Sequence, residues 1–311
     1  DNLIVEQKET AYCQPCVSPI WDTGWMGHVL LEKGDEDVNG LVDWFLKKEI
    51  KIKGDWAINK KKAVIGGWAF QFNNDFYPDV DDTALVGMFL DRYNRKFKKK
   101  KISDCLERTR KWIISMQSKN GGWGAFDIDN NKDYLNAIPF ADHGALLDPP
   151  TVDVSARCLS FLIQQNDKRN ELPIKTGLKY ILSEQEKDGS WYGRWGTNYI
   201  YGTWSTLCAL NLLDFPEKKI VFSKAINYLK SMQRVDGGWG EDGKSYYEGY
   251  ESISKKSTPS QTAWALMALI SAGQLDSSEV EKGVKYLFRN NLKWSEDYYT
   301  AVGFPKVFYL K

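Results

Sequence analysis

Gln117-Ser-Lys-Asn-Gly-Gly-Trp123 returns twice along the chain, as Gln185-Glu-Lys-Asp-Gly-Ser-Trp191 and Gln233-Arg-Val-Asp-Gly-Gly-Trp239. Each copy closes an amphipathic stretch, and the spacing from Gln to Trp is the same every time. Recurrence of this kind marks a repeat architecture. Glycine supplies the backbone freedom that stops a helix. The indole is expected to fold back over the helix end, with the Gln amide bonding main-chain groups freed there. A worn copy is expected to end in Gly54-Asp55-Trp56, and another in Asn290-Asn291-Leu292-Lys293-Trp294.

Each copy follows a second, more apolar segment that opens with Pro, Asp, Ser or Thr. These segments start near Pro19-Ile-Trp21-Asp22-Thr23, Pro78-Asp79, Pro149-Pro150-Thr151-Val152-Asp153, Tyr199-Ile-Tyr201-Gly202-Thr203 and Pro259-Ser260-Gln261-Thr262. The chain therefore reads as five helical hairpins, each with one nearly apolar helix, buried on all sides, and one amphipathic partner such as Ile102 to Gln117. Inner and outer helices of this kind close into an α/α barrel (an α6-α6 toroid). Six pairs complete the ring and five are visible, so residues 1–311 are expected to form one all-α domain with an incomplete ring. The inner helices present their N-terminal ends at one mouth, which places Asp22, Asp79, Asp81, Asp82, Asp153, Tyr201 and Thr203 around a common cavity.

Asp79-Val80-Asp81-Asp82-Thr83-Ala84 opens the apolar run Ala84 to Leu90. Asp79 as N-cap with Asp81 and Asp82 in the first turn is an ordinary helix start. Three carboxylates so close in a water-poor site cannot all ionise, so one tends to keep its proton. That supplies a carboxylic acid that is still an acid at neutral pH.

The formal charge of +1 provides no field for nucleic acid. Runs such as Ala263 to Ala272 are too short to span a bilayer. The N-terminus has no signal-peptide pattern and starts at Asp1, as a processed or excised piece would. Cys13 and Cys16 form the one CxxC pair, and with His28 and His143 the only imidazoles a zinc site has little support. Free thiols in a reducing cytoplasm fit better. The basic runs Lys60–Lys62 and Lys98–Lys101 read as solvated loops. The outlier is aromatic content: 13 Trp, 16 Tyr and 14 Phe must serve a repeated structural purpose, line a pocket, or both.

The Gln–Trp repeats and the acidic motif are joined by Trp21-Asp22-Thr23, Gly66-Gly67-Trp68-Ala69-Phe70-Gln71-Phe72, Asp148-Pro149-Pro150 and the run Gly193 to Thr203. Together they resemble bacterial squalene–hopene cyclases over essentially the whole chain. The resemblance implies a class II polyprene cyclase, an isomerase acting on squalene or a related linear C30–C35 polyprene without cofactor or metal. Asp81 would protonate a terminal alkene, flanked by Asp79 and Asp82. Asp153 and Tyr201 would support the acid. Trp21, Phe70, Phe126, Phe140, Trp195, Phe304 and Phe308 would line the cavity and stabilise cations through their ring faces. It implies a peripheral, monotopic protein on the cytoplasmic side of the cell membrane, with homodimerisation as an option.

Three departures stand out. Arg157 occupies the position, four after Asp153, where the family usually has His, and an Arg is always charged and favours the carboxylate. In this, and in Gly202-Thr203-Trp204, the chain is similar to the tetraprenyl-β-curcumene cyclase (sporulenol synthase) branch. Phe126 stands where the family has Tyr. A preceding second barrel domain and a final C-terminal segment of the family are expected to be missing, which leaves an alternative: a folded but inactive fragment, or a half-enzyme needing a second barrel chain. Two other α/α-barrel chemistries compete. Zinc-dependent prenyltransferases need an Asp, a Cys and a His. Inverting glycosidases use two separated carboxylates, which Asp81 with Asp22 or Asp153 could imitate.

Overall fold

The computed structural model describes residues 4–6, 11–13, 18–34, 37–58, 64–71, 74–132, 134–135, 147–246 and 256–289. Ten α-helices lie among them: α1 (Pro19–Glu32), α2 (Asn39–Lys48), α3 (Val80–Phe97), α4 (Lys100–Ser115), α5 (Val152–Gln164), α6 (Glu171–Ser183), α7 (Tyr199–Asn211), α8 (Lys218–Ser231), α9 (Pro259–Ser271) and α10 (Ser278–Arg289). The odd-numbered helices form the inner layer and pack in chain order, α1 on α3, α3 on α5, α5 on α7 and α7 on α9. Each even-numbered helix packs on the inner helix of its own hairpin. The arrangement is five consecutive pairs of an α/α barrel. Two small antiparallel ribbons accompany it: β1 (Ile4–Glu6) with β2 (Ala11–Cys13), and β3 (Trp68–Ala69) with β4 (Pro78–Asp79).

Composition explains the layering. In α3 every residue from Val80 to Gly87 is buried, as is every residue from Ile200 to Leu207 in α7. By contrast α4 buries Ile102, Cys105, Leu106, Thr109, Arg110, Trp112 and Ile113, one face at helical spacing. Inner helices approach closely where a side chain is absent: a Cβ at Gly87 would sit 2.6 Å from the Phe161 ring. The run Lys98–Lys101 is exposed, as expected of a solvated loop, but only its first half is a connection. Lys98 ends α3 in the left-handed region (φ 48°), Lys99 caps α4, and Lys100 and Lys101 are helical.

The repeats are clamps, with more partners than their spacing suggests. The indole N–H groups of Trp123, Trp191 and Trp239 donate to Ile113 O, Ile181 O and Leu229 O, near the end of the preceding outer helix. Their backbone N–H groups donate to hydroxyls of the next inner helix, Ser155, Thr203 and Thr262. The Gln amides donate to the turn carbonyls Gly121 O, Gly189 O and Gly237 O, and to Pro173 O, Val221 O and Glu279 O in the first turn of the next outer helix. One clamp thus ties three helices together. The turn glycines sit at φ 96°, 98° and 91°, where other residues are strained.

The worn copy ends at Trp68, not Trp56. Trp68 donates through its indole to Phe45 O and through its backbone to Thr83 Oγ1, the same two contacts as in the other clamps. Glu49 takes the place of Gln and receives a bidentate Arg108 from α4, the next outer helix (2.6 and 2.8 Å). A longer connection separates Glu49 from Gly66-Gly67-Trp68, so a fixed spacing misses it. Trp56 instead meets Trp112 edge-on at 5.8 Å. The copy expected at Trp294 lies outside the described residues.

Candidate active site

Asp79 ends β4 in extended conformation, and its Oδ1 accepts the backbone N–H of Asp82 at 2.9 Å, so it caps α3. Capping and site are not alternatives here. The cap fixes Asp81 and Asp82 in the first turn, and all three carboxyls are buried, Asp81 at 7 % exposure. Asp82 Oδ1 is buried without a hydrogen-bond partner among the described residues.

Across the inner layer, Arg157 on α5 donates from Nε to Asp81 Oδ1 at 2.6 Å and from a terminal nitrogen to the Tyr201 hydroxyl at 3.1 Å. Arg157 therefore occupies the place beside the acid that its sequence position suggests. Burial pushes Asp81 up to about 6; the Arg157 charge opposes this and the Asp153 charge adds to it. Burial, reinforced by the Asp81 charge, pushes Asp79 up to about 8. Asp82 is raised by burial and then by the charges of Asp79 and Asp81. Removal from water outweighs the guanidinium, and that answers how a carboxyl beside an arginine holds a proton at all.

Asp153 has another task. Its Oδ1 accepts from the Thr151 hydroxyl and Val154 N–H, and its Oδ2 from the backbone N–H groups of Arg194 (3.0 Å) and Trp195 (2.9 Å). It holds the loop carrying Trp195 and hydrogen-bonds neither Asp81 nor Arg157. Trp195 meets Phe126 edge-on at 6.0 Å. Phe126 is placed by Asp148, whose carboxylate accepts the N–H groups of Ala125, Phe126 and Asp127. Beside Phe126 opens a cleft of about 290 Å³, lined also by Tyr77, Asn74, Asp127, Asn130, Leu147 and Asp148. The start of α7, which carries Tyr201, is held by buried Glu241 through the N–H groups of Asn198, Tyr199 and Ile200.

Two expected members stand apart. Asp22 is exposed and accepts from the Ser18 hydroxyl. Thr203 is a clamp acceptor and not a cavity group. Trp21 lies against the Arg157 guanidinium at 5.0 Å, and Phe70 is half-buried just after β3. Phe140, Phe304, Phe308 and His143 lie outside the described residues. Sequence reading did not single out Trp25 or Trp264, though Trp25 follows Trp21 by one helical turn. Among the described residues, no group of three or more His, Cys, Asp or Glu side chains is arranged to hold a metal ion. No described helix is long and apolar enough to cross a membrane.

Solved structures share this fold across different chemistries. The ent-copalyl diphosphate synthase from Streptomyces platensis superposes with a TM-score of 0.60 at 19% identity, over 92% of this chain and 45% of that one. An alpha-amylase from Clostridium perfringens gives 0.63 at 11% identity, over 96% and 86%. The sequence decides between them. The squalene–hopene cyclase of Zymomonas mobilis is 51% identical over 96% of this chain and 47% of its own length. The chain spans about half the length of the curated relatives it matches. The family model for the squalene-hopene cyclase C-terminal domain matches residues 17–311. With the acid, its arginine partner and the repeated clamps in place, this chain belongs to the squalene-hopene cyclase C-terminal domain family.

Proposed function

We propose that this chain is the catalytic domain of a class II polyprene cyclase, with Asp81 as the proton donor to a terminal alkene. The observation that carries the reading is the buried Asp81–Arg157 contact inside a trio of carboxyls that burial keeps prone to protonation. An alkene is a very weak base, so its acid must be protonated, sheltered from water and left as a stabilised anion once the proton has gone. Arg157 supplies that last requirement: it opposes protonation modestly beforehand and stabilises the carboxylate formed. Asp79, raised to about 8, keeps its proton near neutral pH, whereas Asp81 holds its own mainly below about 6. Tyr201 orients Arg157 from its far side.

The proton adds to one alkene carbon, the neighbouring carbon becomes cationic, and successive alkenes attack it in turn as rings form. A base removing a proton from the last cation ends the sequence, so atoms and charge balance. Trp195 and Phe126, edge to face, would border this path, with Phe70 nearby, and Phe140, Phe304 and Phe308 in the same role. Phe126 cannot donate the hydroxyl bond that a Tyr there would. The cleft is at the small end of ligand sites, so a C30–C35 chain needs further walls, which we assign to a second barrel domain preceding this single domain in the whole protein. The hydrocarbon partitions into a bilayer, which favours a peripheral protein on the cytoplasmic membrane surface. Two separated carboxylates of a glycosidase are less well supported, since Asp22 is exposed and Asp153 is committed to backbone N–H groups.

The test joins this chain to the N-terminal half of the Zymomonas mobilis relative and supplies squalene and a C35 polyprene, with products read by mass spectrometry. Cyclic products lost in Asp81→Asn are expected. No consumption of either, or Asp81→Asn indistinguishable from the parent, overturns the proposal.

A further inference from the structure

Arg157 carries a full charge in the interior at 5 % exposure. Burying a guanidinium is expensive unless its edges and faces are both occupied. Its edges meet Asp81 and Tyr201. Its faces meet indoles: the ring centroids of Trp21, Trp25 and Trp204 lie 5.0, 5.5 and 5.5 Å from Cζ. Two rings come from α1 and one from α7, so the cage spans two inner helices around an arginine carried by a third, α5. It is braced in turn. Trp25 lies 5.8 Å from Trp21 and 6.1 Å from Trp204, and Trp204 stacks on Trp264 of α9 at 5.9 Å and 10°. Ring faces attract a cation without offering an acceptor that would draw N–H groups away from Asp81.

We propose that Trp25 and Trp204, with Trp21, form an aromatic cage that holds the Arg157 guanidinium against Asp81, as positioning residues for the acid. It follows that the Trp21 face is engaged by arginine rather than free for hydrocarbon. This deepens the reading of Asp81 as proton donor and rests on it, but is tested without substrate. The charged or titratable groups around the pair are Asp79 at the end of β4, Asp82 of α3, Asp153 and Cys158 of α5, Tyr201 and Cys208 of α7, and His28 and Asp22 of α1, with Asp148 ahead of α5. Tyr201 lies 5.4 Å from the Trp204 ring and His28 6.0 Å from the Trp25 ring, so the Arg157→Met background is needed to separate the cage from these neighbours.

The measurement is an NMR titration of the 311-residue chain labelled with 13C at its Asp carboxyls, with Asp81→Asn assigning the signal. Weakening the cage lets the guanidinium drift, and the carboxylate loses stabilisation. Trp204→Leu and Trp25→Leu should therefore raise the Asp81 midpoint from about 6 by about one pH unit, a tenfold change in its ionisation equilibrium. Trp204→Phe and Trp25→Phe keep a ring face and should recover most of it. Uniform 5-fluorotryptophan preserves shape while weakening the ring quadrupole, and should shift the midpoint upward even if the leucine variants do not fold. An unchanged midpoint with 5-fluorotryptophan, or a shift that persists in an Arg157→Met background, overturns the cage. Midpoints that move as stated beside an inactive joined enzyme would leave the cage standing and remove the cyclase reading.

Discussion

Thr203→Val and Thr206→Val make a matched pair on one helix, and the structure predicts opposite results. Thr203 Oγ1 accepts the Trp191 backbone N–H at 3.1 Å with both residues fully buried. Valine fills the same space but leaves that amide unpaired inside the protein. An unsatisfied buried donor costs about 1–3 kcal/mol, well above the net value of the bond itself. Thr206 Oγ1, three residues on and equally buried, has no partner among the described residues. Its removal relieves a desolvated hydroxyl and should leave stability unchanged or raise it by up to about 1 kcal/mol. With a urea slope of roughly 3 kcal/mol/M, Thr203→Val should lower the midpoint by about 0.3–1 M. The assay is urea unfolding followed by both tryptophan fluorescence and far-UV circular dichroism, since coincident transitions license the comparison. Equal shifts for the two variants, or a larger loss in Thr206→Val, would refute the assignment of Thr203 to the clamp.

The same logic separates the two candidates for the worn repeat. Trp68→Phe removes the indole bond to Phe45 O and should cost roughly 2–4 kcal/mol, whereas Trp56→Phe gives up ring volume but no hydrogen bond to the described residues and should cost less than half as much in the same denaturation assay. For Asp79 the sign follows from a folded-state value of about 8 against an ordinary 3.8. The folded chain binds the extra proton, so its contribution is fully present below pH 4 and is lost as pH rises, by up to about 1.4 kcal/mol per pH unit until about 8. Asp79→Asn keeps an acceptor for the Asp82 N–H but cannot ionise. Urea midpoints measured from pH 5 to 8 should fall less steeply in Asp79→Asn than in the parent, and parallel slopes would sink this account.

The hairpin count and the inner–outer division were legible because both rest on local chemistry: a turn glycine, an apolar run, an amphipathic face. The clamps were half legible. Spacing showed Gln and Trp acting together, but the third participant, a hydroxyl at Ser155, Thr203 or Thr262 on the next inner helix, is a tertiary partner with no sequence offset to betray it. Glu49 and Trp68 escaped for a related reason. The Trp68 contacts match those of the other clamps and Glu49 replaces the Gln amide with an ion pair to Arg108, but a longer connection hides the pairing from any search by spacing. Gly66-Gly67-Trp68 was the available signal, since it matches the Gly-Gly-Trp of two intact copies.

At the acidic cluster, residue types brought Asp79, Asp81, Asp82 and Arg157 to one place in the structure but did not reveal the partners of Asp153. Asp153 has the composition of a helper for Asp81, yet four hydrogen bonds spend its carboxylate on Thr151, Val154, Arg194 and Trp195. Arginine looked like a handicap for an acid because a fixed charge favours the carboxylate. In a site this buried the larger effect is desolvation, and it acts on all three aspartates at once. Without a cation, three buried carboxyls would hold their protons too tightly to act as strong acids. The Arg157 charge also acts on Asp82, but its hydrogen bond goes to Asp81, which lies at about 6 against about 8 for Asp79. If Asp81 is the proton donor proposed above, the arginine would select which aspartate gives up its proton, and it could do so only with its charge held on one side of the cluster. That requirement makes the indoles around Arg157 as consequential for Asp81 as the hydrogen bond itself.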